Sequence, residues 1–258
     1  MDYKTHRSIR AYTEAPVSQE VLDTLLTAGI RASNTGNIQS YSVIVTQEEE
    51  MKARLAPLHF NQPMVKGAPV LLTFCVDYNR LSAWSEARGT ACGHLNLMGF
   101  YNASLDAMLF AQNVAVAAED AGLGYCFLGT VLYNLESIIH ELALPRGVIP
   151  ILTMSLGYPA ETPSLRPRLS LEGIVHYERY SPFTPAQIEA LYAPLENDPY
   201  YQDRVRTSGC TNLAQLIMEK EYPAANYMHL SQEIVRILQL QGFEEKCLKR
   251  QNPSSVEA

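Results

Sequence analysis

His6-Arg7-Ser8-Ile9-Arg10 gathers two guanidiniums, an imidazole and a hydroxyl into five residues of a chain whose net charge is −7. In an extended backbone the side chains at i, i+2 and i+4 share a face. His6, Ser8 and Arg10 can therefore converge on one ligand while Arg7 reaches it from the other side. Charged forks, a hydroxyl donor and backbone N–H groups are what an anionic phosphate needs. The plain alternative is a solvated basic turn. Leu165-Arg166-Pro167-Arg168-Leu169 is a second basic knot, in which the proline stiffens the backbone and fixes how the two forks are presented. Ordinary surface arginines are the alternative there. If the clusters meet, Arg7, Arg10, Arg166 and Arg168 surround one phosphate. Three charge-assisted hydrogen bonds at about 1.5–3 kcal/mol each would supply on the order of 5–9 kcal/mol. Micromolar binding corresponds to about −8 kcal/mol. A mononucleotide held by its tail in this way keeps its ring free for chemistry.

Other motifs exclude more than they assign. The glycines at 122, 124 and 129 follow a helix rather than a strand, and Thr130 has no lysine before it. Neither the dinucleotide fingerprint nor a Walker loop is satisfied. A helix C-cap at Gly122 followed by a strand accounts for Gly122 and Gly124, while Phe127–Thr130 can bring backbone close to a flat ligand. No G-x-S-x-G occurs, and Ser8 beside His6 lacks a placed acid, so a serine hydrolase is not indicated. The cysteines at 75, 92, 126, 210 and 247 form no C-x-x-C pair. Cys75 and Cys126 lie in apolar runs, which suits buried, reduced thiols. Cys92-Gly-His94 hints at a metal, but His6, His59, His140, His176 and His229 show no ligand spacing, and no metal is expected.

With 258 residues, 47% of them hydrophobic, the chain can bury a full core. Its acidic balance offers no basic stripe for nucleic acid. No apolar run reaches the roughly 18 residues that span a bilayer, and the first residues show no signal region. A cytoplasmic protein is expected. Ser18 reads as the N-cap of a helix running to Ile30, with Val21, Leu22, Leu25 and Leu26 at helical spacing. Ser33-Asn34-Thr35-Gly36-Asn37 is a turn-forming segment. Tyr41–Thr46 reads as a strand and Glu48–Leu58 as a helix whose Glu48-Glu49-Glu50 run is its solvated start. Pro69–Val76 and Pro150–Leu156 are continuous apolar runs, as strands covered on both faces require. Ser104–Ala121 is apolar nearly all round, so it is a buried central helix or a subunit interface. Leu135–Leu142 and Gln232–Gly242 complete the helices. Between them, a proline-punctuated stretch beyond Pro159 with little strand signal looks like an arm wrapping a core or a partner. Strands and helices alternate irregularly, which reads as one α+β domain.

Taken together, these pieces resemble the nitroreductase family of FMN-dependent oxidoreductases, in particular the branch of NADPH-dependent, oxygen-insensitive nitroreductases and NADPH–flavin oxidoreductases. His6-Arg7-Ser8-Ile9-Arg10 with Tyr12 and Pro16 is similar to that branch's opening motif. Ser33-Asn34-Thr35-Gly36-Asn37-Ile38-Gln39 falls where the family has its Ser/Asn-rich flavin loop. Gln62 occupies the place of a glutamine that contacts the flavin pyrimidine, Gly122-Leu123-Gly124 through Gly129 resembles the family's Gly-Leu-Gly segment, and Arg166-Pro167-Arg168 its phosphate clamp. The likeness runs from about Lys4 to Tyr180.

The resemblance implies an α+β fold with a central, mostly antiparallel sheet flanked by helices and an extended C-terminal arm wrapping the partner of a homodimer. Residues 1–180 would form the FMN-binding core and 181–258 an extension within the same domain. Two FMN sites would lie at the subunit interface. Arg7, Ser8, Arg166 and Arg168 would hold the phosphate, with His6 and Pro167 in the same cofactor-binding clusters and Arg10 toward the ribityl chain and the N1–O2 edge. Ser33, Asn34, Thr35, Asn37 and Gln39 would come from the partner chain, and Gln62, Phe127, Leu128, Gly129 and Thr130 would line the ring. NADPH or NADH would deliver a hydride to the flavin, and a nitroaromatic, a quinone or free flavin would take it in a ping-pong cycle. No protein acid or base is required, because the cofactor carries the hard step. Arg10 would stabilise the charge that reduction leaves near N1 and O2. The branch commonly has an arginine near the start of its last helix, where this chain has Ser231. Arg204 and Arg206 are the candidates for an NADPH phosphate, with solvated surface arginines as the alternative. A flavin carrier or sensor without turnover, or a relative that dehalogenates or cleaves flavin, are the competing functions.

Overall fold

The computed structural model describes residues 5–243; Cys247 lies outside them. Ser18 Oγ accepts the Val21 N–H and starts α1, Gln19–Ile30, whose Leu22 and Leu25 are buried as the spacing requires. Edge strand β1, Tyr41–Thr46, pairs antiparallel with β2, Val70–Asp77, with Tyr41 opposite Val76 and Thr46 opposite Leu71. Helices α2, Glu49–Leu58, and α3, Pro63–Gly67, connect them. Every residue of β2 is buried, as its unbroken apolar run implies. After α4, Asn79–Ala87, comes α5, Leu97–Asp120, followed by β3, Gly124–Leu128, α6, Leu135–Glu141, and β4, Val148–Gly157. The sheet order is β1-β2-β4-β3 with every pairing antiparallel.

Period-two alternation divides the sheet's contacts between its faces. Val70, Leu72 and Phe74 join Leu22 and Leu25 of α1 and Phe110, Ala111 and Val114 of α5 in the largest core cluster. Leu71 points the other way, into a cluster with Leu55, Ala56, Met64, Val65, Cys126 and Leu128. Helix α5 starts at Leu97, capped by Asn96, so it is longer at its N-terminal end than the apolar pattern from Ser104 suggests. Its alanine-rich side (Ala103, Ala107, Ala111, Ala115) is buried, whereas Leu97, Met98, Tyr101, Leu105, Met108 and Leu109 stay exposed. Gly122 closes the helix with φ of 78°, as its C-cap reading requires.

Two compact units are distinguished. The first comprises the chain up to Pro163 and again from Gln232; the second is Ser164–Ser231. The second unit holds α7, Pro185–Glu196, α8, Pro199–Ser208, and the short α9, Leu213–Gln215, which runs into a π-helical turn, Leu216–Glu221. The unit boundary falls within α10, Ala224–Leu240. The proline-punctuated stretch is thus largely helical from Pro185. Two of its prolines are initiators: Pro185 and Pro199 each follow a capping residue, Thr184 and Asp198.

Candidate functional site

The N-terminal segment is stitched to the ends of β3 and β4. Ile9 N–H donates to Tyr125 O at 2.8 Å, Thr13 N–H to Tyr158 O at 2.9 Å, and Ala160 N–H to Ala11 O at 3.0 Å. Tyr12 buries its ring and donates its hydroxyl to Ile9 O at 2.6 Å, with Ser155 Oγ at 2.8 Å. Burial drives this phenol far above its ordinary pKa, so it is a fixed donor. Glu161 Oε1 accepts two successive backbone N–H groups, from Arg10 at 2.6 Å and Ala11 at 3.0 Å.

Within this frame the basic residues take different places. Arg7 donates from one terminal nitrogen to Thr5 O at 2.8 Å, and its Nε is buried without a hydrogen-bond partner. Arg10 is exposed, its terminal nitrogen 3.5 Å from Ser8 O. His6 is committed to the protein: its Nδ1 lies 2.5 Å from Glu119 Oε1 and 3.2 Å from the Tyr125 hydroxyl, and its ring stacks on Tyr125 at 5.1 Å.

A second group gathers at the end of β3, where a 3-10 turn, Gly129–Tyr133, follows the strand. Thr130 Oγ1 is 2.8 Å from His59 Nδ1 and accepts from Gln62 Nε2 at 3.4 Å. Gln62 and Thr130 are therefore brought together, and His59 joins them unannounced by any sequence spacing. Burial lowers the His59 imidazole to about 4, so it is neutral at neutral pH. Phe127 is half-buried and meets Tyr125 edge-on at 5.2 Å. Leu128 turns its side chain into the core, leaving only its backbone for a ligand. At Gly129 a Cβ would meet only open space.

The third group is the polar loop before β1. Asp106, a buried carboxylate on α5, accepts both the Thr35 N–H at 2.9 Å and the Thr35 hydroxyl at 3.0 Å through one oxygen. Its other oxygen and Asn34 Oδ1 are buried without a partner. Gly36, Asn37 and Gln39 all have φ near +55° (56°, 56° and 55°), and Gln39 Nε2 donates to Asn37 O at 3.3 Å. Arg80 donates to Gln39 O at 2.6 Å and Tyr41 O at 3.1 Å. Ser33 is exposed. This loop leads into β1, and the N-terminal segment docks on β3; those strands are the two opposite edges of the sheet.

In the second unit, the Arg166 guanidinium lies 3.4 Å over the Tyr200 ring and 3.8 Å from Asp198 Oδ1. Arg204 sits 5.3 Å from the centre of the same ring and pairs with Glu221, while Arg206 pairs with Asp203. Arg168 is exposed, and its guanidinium is 3.4 Å from Pro167 O. Arg166 and Arg204 thus share one aromatic platform. Both nicotinamide-phosphate candidates already face a carboxylate.

Cys75 and Cys126 are buried free thiols, and burial pushes Cys75 up to about 12. Cys92 Sγ is 4.0 Å from His94 Nδ1. Among the described residues no group of His, Cys, Asp and Glu could hold a metal ion. No helix there is long and apolar enough to cross a membrane.

The model of the Nitroreductase family matches residues 3–158. The chain is 34% identical over 178 residues to the FMN reductase (NADPH) of Bacillus subtilis, spanning 68% of this chain and 72% of that protein. It is 34% identical over 178 residues to the oxygen-insensitive NADPH nitroreductase of Salmonella typhimurium, spanning 69% and 72%. A solved Bacteroides fragilis structure described as an oxidoreductase superposes with a TM-score of 0.92 at 42% identity, covering 94% of this chain and 98% of the other. The NADPH:FMN oxidoreductase of Vibrio harveyi, solved with NAD+, gives 0.79 at 25% identity, covering 94% and 97%.

Proposed function

The chain belongs to the nitroreductase family, and from that premise we propose that it is an FMN-dependent oxidoreductase that uses NAD(P)H to reduce nitroaromatics, quinones or free flavin. The observation that carries the reading is Arg7: a guanidinium with a buried, unpartnered Nε. An unsatisfied cationic donor beneath the surface is costly unless an anion completes it. A phosphate fits that donor set, with the Ser8 hydroxyl beside it on the same segment. Gln62, Thr130 and the backbone of Phe127–Gly129 face the ring.

When bound, FMN would supply the two-electron redox chemistry that links the nicotinamide to the second substrate. The protein's contribution is binding, orientation and charge. Arg10, tethered through its N–H to Glu161, is the cation we assign to the N1–O2 edge, where reduction concentrates negative charge. Tyr12 and Glu161 hold the segment that carries it.

We further propose that the active form is a homodimer. The polar loop and the N-terminal cluster occupy opposite sheet edges of one chain, so both serve one cofactor if the loop is lent to a partner. The exposed apolar side of α5 is a surface of the kind that marks a subunit contact. Buried free thiols at Cys75 and Cys126 suit a reducing cytoplasm.

The test is a visible spectrum of the fresh protein, followed by NADPH oxidation with menadione or nitrofurazone as acceptor. Yellow protein that turns over supports the proposal. Colourless protein that takes up no added FMN ends it. Bound FMN that NADPH does not bleach within seconds would assign a carrier or sensor instead.

A further inference from the structure

The turn between α2 and α3 is built under strain. Phe60 and Asn61 are consecutive non-glycine residues with φ of 57° and 52°, a left-handed conformation that L side chains rarely adopt. It folds Gln62 back over His59: Asn61 N–H donates to Ala56 O at 2.8 Å and Gln62 N–H to His59 O at 3.2 Å. The turn is fastened to the one after β3. Asn134 Nδ2 donates to Leu58 O at 2.8 Å, and Phe60 meets Tyr133 edge-on at 5.5 Å. Strain held in place by surrounding contacts concentrates where geometry matters to function. Here the product is a chain of three side chains, His59, Thr130 and Gln62, running from a residue 1% exposed to one that is half-buried.

A threonine hydroxyl has one proton and two acceptor lone pairs. Thr130 Oγ1 accepts the Gln62 amide N–H and is 2.8 Å from His59 Nδ1. Burial keeps that imidazole neutral at neutral pH, and in its Nε2–H tautomer the Nδ1 lone pair takes the threonine proton. The polarity of the chain then runs one way. Gln62 turns its amino end to Thr130, and among the described residues its carbonyl oxygen has no hydrogen bond. That oxygen and the second amide N–H are left side by side, the complement of a ring N–H flanked by carbonyls. The pyrimidine of an isoalloxazine presents such an edge.

We infer that His59 is a positioning residue which, through the Thr130 hydroxyl, sets which end of the Gln62 carboxamide faces the imide edge of the bound ring. The inference rests on the FMN reading above. It makes a buried side chain, acting through its neighbours, a determinant of flavin affinity and potential.

The experiment titrates FMN into apoprotein of wild type, His59→Leu, His59→Asn, Thr130→Val and the His59→Leu/Thr130→Val double variant, and measures the midpoint potential of each loaded protein. His59→Leu should weaken FMN by roughly three- to tenfold and move the potential. His59→Asn, whose amide can take the threonine proton, should restore both. The double variant should bind no more weakly than Thr130→Val alone, because His59 acts through that hydroxyl. A packing role would leave the potential unmoved. Equal affinity and potential in wild type and His59→Leu would overturn the inference and leave the FMN reading standing; wild type that binds no FMN would overturn both. If His59→Leu fails to fold, 15N NMR of the wild-type imidazole decides. The Nε2–H tautomer is required at pH 7, and an Nδ1–H tautomer would refute the relay.

Discussion

Ile9 lies directly on Gly124: a Cβ at that glycine would come within 2.5 Å of Ile9 Cγ1 and 2.7 Å of Ile9 Cβ. Across the ladder Gly124 faces Gly157, where a Cβ would meet Pro69 Cδ at 2.5 Å and Tyr12 Cδ1 at 3.0 Å. Gly124 is thus a glycine because Ile9 of the N-terminal segment fills the space a side chain would need, and Gly157 because Pro69 and Tyr12 together fill it. Neither Arg7 nor Arg10 can be placed without this contact, since Ile9 is the buried residue between them.

Gly124→Ala tests that dependence. Ile9 is β-branched and its N–H is anchored on Tyr125 O, so it cannot step aside cheaply. The expected cost is roughly 1–3 kcal/mol of stability, as for other overpacked sites, together with weaker FMN binding. Gly67→Ala, where a Cβ meets nothing within 4 Å, is the control and should melt with the wild type. Thermal denaturation and FMN titration read both effects, and a Gly124→Ala protein that matches the control would refute the packing argument.

Arg168→Ala tests the proposed phosphate role of the second basic cluster. Its exposed guanidinium is only 3.4 Å from its neighbour's carbonyl, Pro167 O, so removal leaves no buried charge unpaired. Loss of one charge-assisted bond to phosphate should weaken FMN binding by about 1.5–3 kcal/mol and leave the unfolding midpoint of the apoprotein unchanged. Fluorescence titration with riboflavin beside FMN isolates the phosphate: affinity for riboflavin should not change. Undiminished FMN affinity would remove Arg168 from the clamp.

His59 should leave a signature in the pH dependence of stability. Burial lowers its pKa from 6.5 to about 4, so between those values the unfolded chain binds a proton that the folded protein refuses. Its contribution is therefore complete above pH 6.5 and is lost as pH falls toward 4, at about 1.4 kcal/mol per pH unit and on the order of 3 kcal/mol in all. Urea unfolding of wild type and His59→Asn between pH 7 and pH 4.5 isolates this from the carboxylates common to both. The wild type should lose stability more steeply; parallel curves would mean that the imidazole is not buried neutral.

Local signals carried much of the fold. Ser18 caps, Leu22 and Leu25 recur at helical spacing, and α1 runs from Gln19 to Ile30 as read. The continuous run of β2 and the C-cap at Gly122 are equally local. The proline-punctuated stretch reads only as an arm; the helices that Pro185 and Pro199 begin were not placed within it. In the site, residue types pointed to Arg7 and Arg10, whereas Gln62 and Thr130 were singled out as ring contacts only by the resemblance to the family. Asp106 and Glu161 escaped notice because their partners, Thr35 and the Arg10 N–H, are 71 and 151 residues away. His59 escaped because burial, not spacing, makes it a neutral acceptor.

The same distinction between type and burial governs α5. Its apolar character is legible in the sequence, its start at Leu97 is not, and only the fold shows which side is left over. Leu105 is 47% and Met108 45% exposed, with Tyr101 and Leu109 beside them, while Ala103, Ala107 and Ala111 on the same helix are buried. Leu105→Asp places a charge where the single chain has solvent, so the protomer should fold with a stability within about 0.5 kcal/mol of wild type. In a subunit contact the same carboxylate is buried unpaired, which costs several kcal/mol. Sedimentation velocity should therefore show wild-type dimer and Leu105→Asp monomer at equal concentration. FMN should be lost with the partner, because the polar loop and the arginine cluster then no longer meet. A Leu105→Asp protein that remains dimeric and yellow would place the subunit contact elsewhere.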